Sequence, residues 1–106
     1  MVARVTHVHV KPEDVDESVA LFDESVIPAA EQEEGFAGAL LLVKPDGHAL
    51  VIDLADSLEH AQANERSGFY QSQIAKFADK IVDRPTRELY EVKVAKGVRG
   101  GLDLLV

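Results

Sequence analysis

The chain has 106 residues, with 11 Lys+Arg against 19 Asp+Glu and a formal net charge of −8. This length supports one domain, because chains below roughly 150 residues rarely split. The absence of cysteine excludes a disulfide framework, thiolate metal sites and thiol catalysis. Hydrophobic residues at 46% and charged residues at 28% describe an ordinary globular domain, not a disordered one.

No apolar run approaches the roughly 20 residues of a membrane span. MVARVTHVHV has neither the apolar block nor the cleavage site of a secretory signal, so a cytoplasmic location is expected. The acidity is local. Glu13 to Glu34 holds nine acids and no base, which is the pattern of a solvated helix face. Phosphate-backbone binding needs clustered Lys and Arg, so nucleic acid is not an expected partner.

Six elements follow in chain order. Val2 to Lys11 alternates as a strand, with Val8 and Val10 on one side and Val5, His7 and His9 on the other. Pro12 fits the first turn of a helix. Val15, Val19, Phe22, Val26 and Ala29 or Ala30 then recur at helical spacing to about Glu33. Pro28 lies inside that pattern and predicts a kink or an early end near Val26 to Ile27, and Gly35 predicts the close.

Phe36 to Val43 and Ala49 to Ala55 read as a hairpin across Lys44-Pro45-Asp46-Gly47-His48. Ser57 is placed to cap a second helix from Leu58 towards Val82, with a break at Ser67-Gly68 and an apolar stripe of Ile74, Phe77, Ala78 and Ile81. Asp83-Arg84-Pro85 stops it, and Thr86 to Ala95 reads as a fourth strand. Residues 1–95 thus form the domain, and 96–106 form a tail whose apolar end, Leu102 to Val106, is expected to dock on a partner copy.

The order strand, helix, strand, strand, helix, strand predicts an α+β ferredoxin-like βαββαβ fold with a four-stranded antiparallel sheet. Two helices cover one sheet face. Ala37, Ala39, Leu41 and Val43 alternate with Phe36, Leu40 and Leu42, so strand 2 is apolar on both sides. A sheet apolar on both faces needs a second cover, and a homodimer supplies it most simply.

Phosphate loops, nucleophile elbows and zincin motifs are absent from the sequence. His7 and His9 sit two apart on a strand, which places both imidazoles on one face about 7 Å apart. That suits two metal ligands, proton transfer or substrate contact, with a structural or interface role as the alternative. A metal would need a third donor, Asp53, His48 or His60, and no spacing selects one. Asn64, Phe69 and Tyr70 surround the helix break, where either a pocket opens between helix and sheet or a capped kink lets the aromatics fill the core. Tyr90 reads as a sheet residue.

Val10-Lys11-Pro12, Pro28, Gly35-Phe36, Asp46-Gly47 and the segment Asn64 to Tyr70 together resemble the antibiotic biosynthesis monooxygenase domain family, over about residues 2–95. The resemblance implies a dimeric α+β barrel with a small pocket in each subunit between sheet and helices. It implies oxidation of a phenolic, anthrone-type or quinol compound by O₂ with no cofactor, neither flavin nor metal. Ala55 stands where the family often has Trp, Asn64 where many members have His, and Ile74 where a haem-degrading branch has its axial His. The readings set side by side are a cofactor-independent monooxygenase, with His7 or His9 as base and Asn64, Phe69 and Tyr70 on the substrate, and a non-catalytic dimeric barrel.

Overall fold

The structure is a computed structural model and describes residues 1–97. The elements are β1 (Val2–His9), α1 (Val15–Leu21), α2 (Ile27–Glu31), β2 (Phe36–Val43), β3 (His48–Ala55), α3 (Leu58–Arg66), α4 (Phe69–Ala75) and β4 (Thr86–Glu91). The four strands form one antiparallel sheet in the order β2-β3-β1-β4. This is the ferredoxin-like arrangement the sequence predicts, with β1 and β3 central.

The first helical run continues past Pro28, but its α-helical pattern is interrupted just before it. A 3-10 turn (Pro12–Asp14) leads into α1, and a π turn over Phe22–Val26 joins α1 to α2. In that turn Ile27 N–H donates to Phe22 O, one residue further back than in an α-helix. The wider turn makes room for the Pro28 ring, which would otherwise meet the carbonyl four residues earlier. Gly35 follows at φ +86°, and Asp56 N–H donates to its carbonyl at 2.9 Å.

The hairpin matches expectation to within one residue. One detail differs. A bulge between Phe36 and Gly38 sets two residues of β2 against one of β3, so Phe36 pairs with Ala55 and Gly38 with Leu54. Phe36 therefore turns to the helix side, not to the side of Leu40 and Leu42.

Ser57 caps α3 as predicted, its Oγ accepting from His60 N–H at 3.2 Å. The break falls at Ser67-Gly68. Beyond it the helix stops at Ala75, earlier than the stripe suggests, because the chain tightens into i→i−3 turns through Lys76 to Ala78. Ala78 is exposed in consequence, while Ile74, Phe77 and Ile81 stay partly buried. Ile81 bridges Val10, and Val82 N–H donates to His9 O, tying this segment to the end of β1. β4 ends at Glu91, short of Ala95, and most of the predicted tail lies outside the described residues.

Register fixes the two faces. Arg4, Thr6 and Val8 of β1 and Val51 and Asp53 of β3 look toward the helices, with Val10 next to β1 doing the same. Ala3, Val5, His7, Ile52, Leu50, Leu40 and Leu42 share the opposite face, with Tyr90 and Glu88 of β4. None of these is fully buried, and Leu42 and Tyr90 are 47% and 51% exposed. The sheet is thus apolar on both faces and covered on one. No helix among the described residues is long and apolar enough to cross a membrane.

Candidate functional site

Between the helices and the covered sheet face lies a cavity of about 90 Å³. Its walls are mostly aliphatic and aromatic, with Val8 and Val51 from the sheet, Phe22 from the π turn, and Phe69, Tyr70 and Ile74 from α4. Five polar residues interrupt them: Arg4, Thr6, Ser18, Asp53 and Gln73.

Those polar residues carry a telling deficit. Among the described residues, the buried side-chain atoms with no hydrogen-bond partner are Arg4 Nε, Thr6 Oγ1, Ser18 Oγ and Gln73 Oε1, and all four belong to the cavity wall. Each such atom costs about 1–3 kcal/mol if nothing meets it. A polar ligand, or water in its place, would satisfy them.

Arg4 is 4% exposed. Its Nη2 donates to Ala61 O at 2.7 Å, and Nη1 lies 3.6 Å from Asp53 Oδ2. Burial pushes the Asp53 carboxyl above the usual carboxylate range, and the Arg4 charge offsets only part of that. A carboxylate held this way is a better base than a solvated one. Two guanidinium groups approach the Tyr70 ring, Arg87 at 4.2 Å and Arg4 at 5.9 Å from its centre.

The predicted site residues divide between two faces. Phe69 and Tyr70 line the cavity, where Gly68 at φ +84° starts α4 and aims them inward. Asn64 lies in an adjoining recess of about 20 Å³ that shares Arg4, Asp53 and Phe69, and its Nδ2 donates to Glu33 Oε1 at 2.9 Å. His7 and His9 are on the other side of the sheet. Their odd positions on β1 turn away from Arg4 and Thr6, so they cannot act on a molecule held against Tyr70.

His9 instead stacks on His48 with ring centres 3.8 Å apart, and its Nδ1 lies 3.2 Å from Asp83 Oδ2. His7 is 3.8 Å from Glu88 and more than half exposed. The two histidines border an open groove of about 490 Å³ on the uncovered face. No group of three or more His, Asp or Glu suited to a metal ion occurs among the described residues, so Asp53, His48 and His60 do not join His7 and His9.

The residues missed by periodicity are Arg4, Thr6, Ser18 and Gln73, while Asp53 enters the sequence reading only as a candidate metal donor. A signal for two of them was present, since Arg4 and Thr6 share strand parity with Val8 and Val10.

No family model and no curated protein matches the sequence. Solved structures do match. A candidate antibiotic biosynthesis monooxygenase from Deinococcus radiodurans superposes with a TM-score of 0.72 at 19% identity, covering 92% of this chain and 97% of that one. A Nitrosomonas europaea protein of unknown function gives 0.71 at 23% identity, covering 90% and 91%. A Streptomyces coelicolor monooxygenase in complex with nanaomycin D gives 0.71 at 15% identity, covering 90% and 89%. From β1 to β4 this chain therefore has the ferredoxin-like fold of structures described as antibiotic biosynthesis monooxygenases.

Proposed function

We propose that the helix-sheet cavity binds a small phenol or quinol and that the protein oxidises it with O₂. The observation that carries this reading is the convergence of four unpartnered buried polar atoms on one apolar cavity. Apolar walls suit an aromatic ring, and the orphan groups suit its hydroxyl substituents. A cavity of roughly 150 Å³ holds benzene. At about 90 Å³ the present one favours a single ring, with modest movement of α4, over a polycycle.

In this reading Asp53 takes a phenolic proton and Arg4 holds the resulting anion. The resemblance implies that the substrate itself reduces oxygen, without flavin or metal. A benzene-1,4-diol and O₂ then give 2-hydroxy-1,4-benzoquinone and water. One oxygen atom enters the ring and the other leaves as water, and all four electrons come from the diol. The water-excluding walls strengthen the Arg4 interaction with the anion.

The working unit is read as a homodimer. The open sheet face presents Val5, Leu40, Leu42, Leu50 and Ile52 in one patch, and a second copy covers them most simply. Each large side chain moved from half-exposed to buried contributes about 1 kcal/mol. Sedimentation at micromolar concentration should then give twice 11.6 kDa. A monomer would remove this part of the reading.

The second reading, a binding barrel without catalysis, is favoured by Asn64, whose amide is engaged by Glu33 where many family members have His. Turnover of a panel of monocyclic quinols under ¹⁸O₂ separates the two. Oxidation predicts one labelled oxygen in the quinone, at a rate above the protein-free background. Binding with no labelled product would favour the second reading.

A further inference from the structure

The cavity donor Arg4 Nε is left open by a competition outside the cavity. On α3, Glu65 Oε1 accepts from Arg87 Nε at 2.6 Å, while Arg4 Nε lies 3.6 Å from the same oxygen and makes no hydrogen bond. Arg87 stands on edge strand β4 beside Thr6, 36% exposed, and its guanidinium also covers the Tyr70 ring at 4.2 Å. Arg4 cannot turn to another acceptor, because Ala61 O and Asp53 hold its two terminal nitrogens. A buried Nε–H without a partner is costly, so Glu65 would close on it if nothing else held that carboxylate.

We infer that Arg87 is a positioning residue that keeps Glu65 off Arg4 and so reserves the Arg4 Nε–H for the ligand. The inference rests on the cavity being the binding site. Arg87 touches no ligand in this account. It acts through Glu65.

The test uses Arg87→Met, Arg87→Lys and the double variant Arg87→Met/Glu65→Ala, with resorcinol as a slowly oxidised monocyclic probe. Two readouts are taken, the calorimetric affinity for resorcinol and the ¹H–¹⁵N signal of Arg4 Nε–H without ligand. Arg87→Met should weaken resorcinol about tenfold, the effect of losing one charge-assisted hydrogen bond, and should move the Arg4 Nε–H proton downfield. Arg87→Lys, which keeps a cation for Glu65, should hold the wild-type affinity. The double variant should restore both readouts. An unmoved Nε–H signal in Arg87→Met, or a double variant that stays weak, overturns the inference. If the wild-type protein takes up no resorcinol, the cavity reading fails, and the Nε–H signal alone still decides the role of Arg87.

Discussion

Arg4 and Asp53 are cross-strand partners on the two central strands, both turned toward the helices, with Arg4 Nη1 3.6 Å from Asp53 Oδ2. In the proposed reaction these two groups are the base and the cation that stabilises its product, and they meet on one wall of the cavity. Asp53→Asn keeps the shape and removes the base. Turnover of a monocyclic quinol should fall about 10²- to 10⁴-fold with little change in KM. The wild-type rate should rise with pH at values above the ordinary carboxylate range, following the raised Asp53 carboxyl. The variant should lack that limb, and a retained limb would assign the base elsewhere.

Thr6 is 2% exposed, and its hydroxyl has no partner. Thr6→Val removes the orphan at nearly constant volume. The ligand-free protein should gain about 1 kcal/mol of stability, read as a higher midpoint in urea. Affinity for a phenol should drop in the same variant. An affinity that stays the same or rises would show that Thr6 Oγ1 does not serve the ligand.

His60 joins two loops. Its Nδ1 is 2.6 Å from Asp56 Oδ1 and its Nε2 is 3.3 Å from Glu34 Oε1. The Asp56 hydrogen bond, with its charge and that of Glu34, holds the imidazole pKa above its usual 6.5. The folded protein therefore binds this proton more tightly than the unfolded chain. Its stabilisation is complete below pH 6.5 and is lost as the pH rises through the raised folded value. Thermal melts of wild type and His60→Gln should differ most below pH 6 and converge at alkaline pH. A constant difference would contradict the assignment.

Gly35 and Gly68 share a positive φ, +86° and +84°, but not their surroundings. A Cβ on Gly35 would lie 2.5 Å from His60 Nδ1 and 2.7 Å from Asp56 Oδ1, whereas nothing lies within 4 Å of one on Gly68. Gly68→Ala should cost about 1–2 kcal/mol, the strain of the left-handed backbone alone. Gly35→Ala should cost clearly more and should also weaken the pH dependence of the His60 contact. Equal costs would mean that the His60 ring simply moves aside.

What could be read from the sequence divides along physical lines. The hairpin around Pro45-Asp46-Gly47 was legible because turn chemistry and alternation agree there. The cap at Ser57 and the break at Ser67-Gly68 were legible for the same reason, and they delivered Phe69 and Tyr70. The π turn was not, since Pro28 signals only that the α-helix cannot continue unchanged. Strict alternation puts Phe36 on the wrong face, because a bulge inverts parity and leaves no mark in the hydrophobic pattern.

The histidines drew attention by their chemistry, yet parity with Ala3 and Val5 placed them on the uncovered face. Arg4 and Thr6 do not stand out in the sequence because polar strand residues usually face water. Here they face inward, as polar groups in a cavity wall do. Ser18 and Gln73 had no sequence signal at all, because only the packing of α1 and α4 over the sheet brings them to the same space.

The site is decided by which side of the sheet takes a phenol. Amide and side-chain NMR signals followed during a resorcinol titration answer it. Saturable shifts are expected at Thr6, Ser18, Asp53, Tyr70 and Gln73, with His48 and the His7-His9 edge unmoved. Shifts confined to His7, His9 and His48 would contradict that and move the site to the open face.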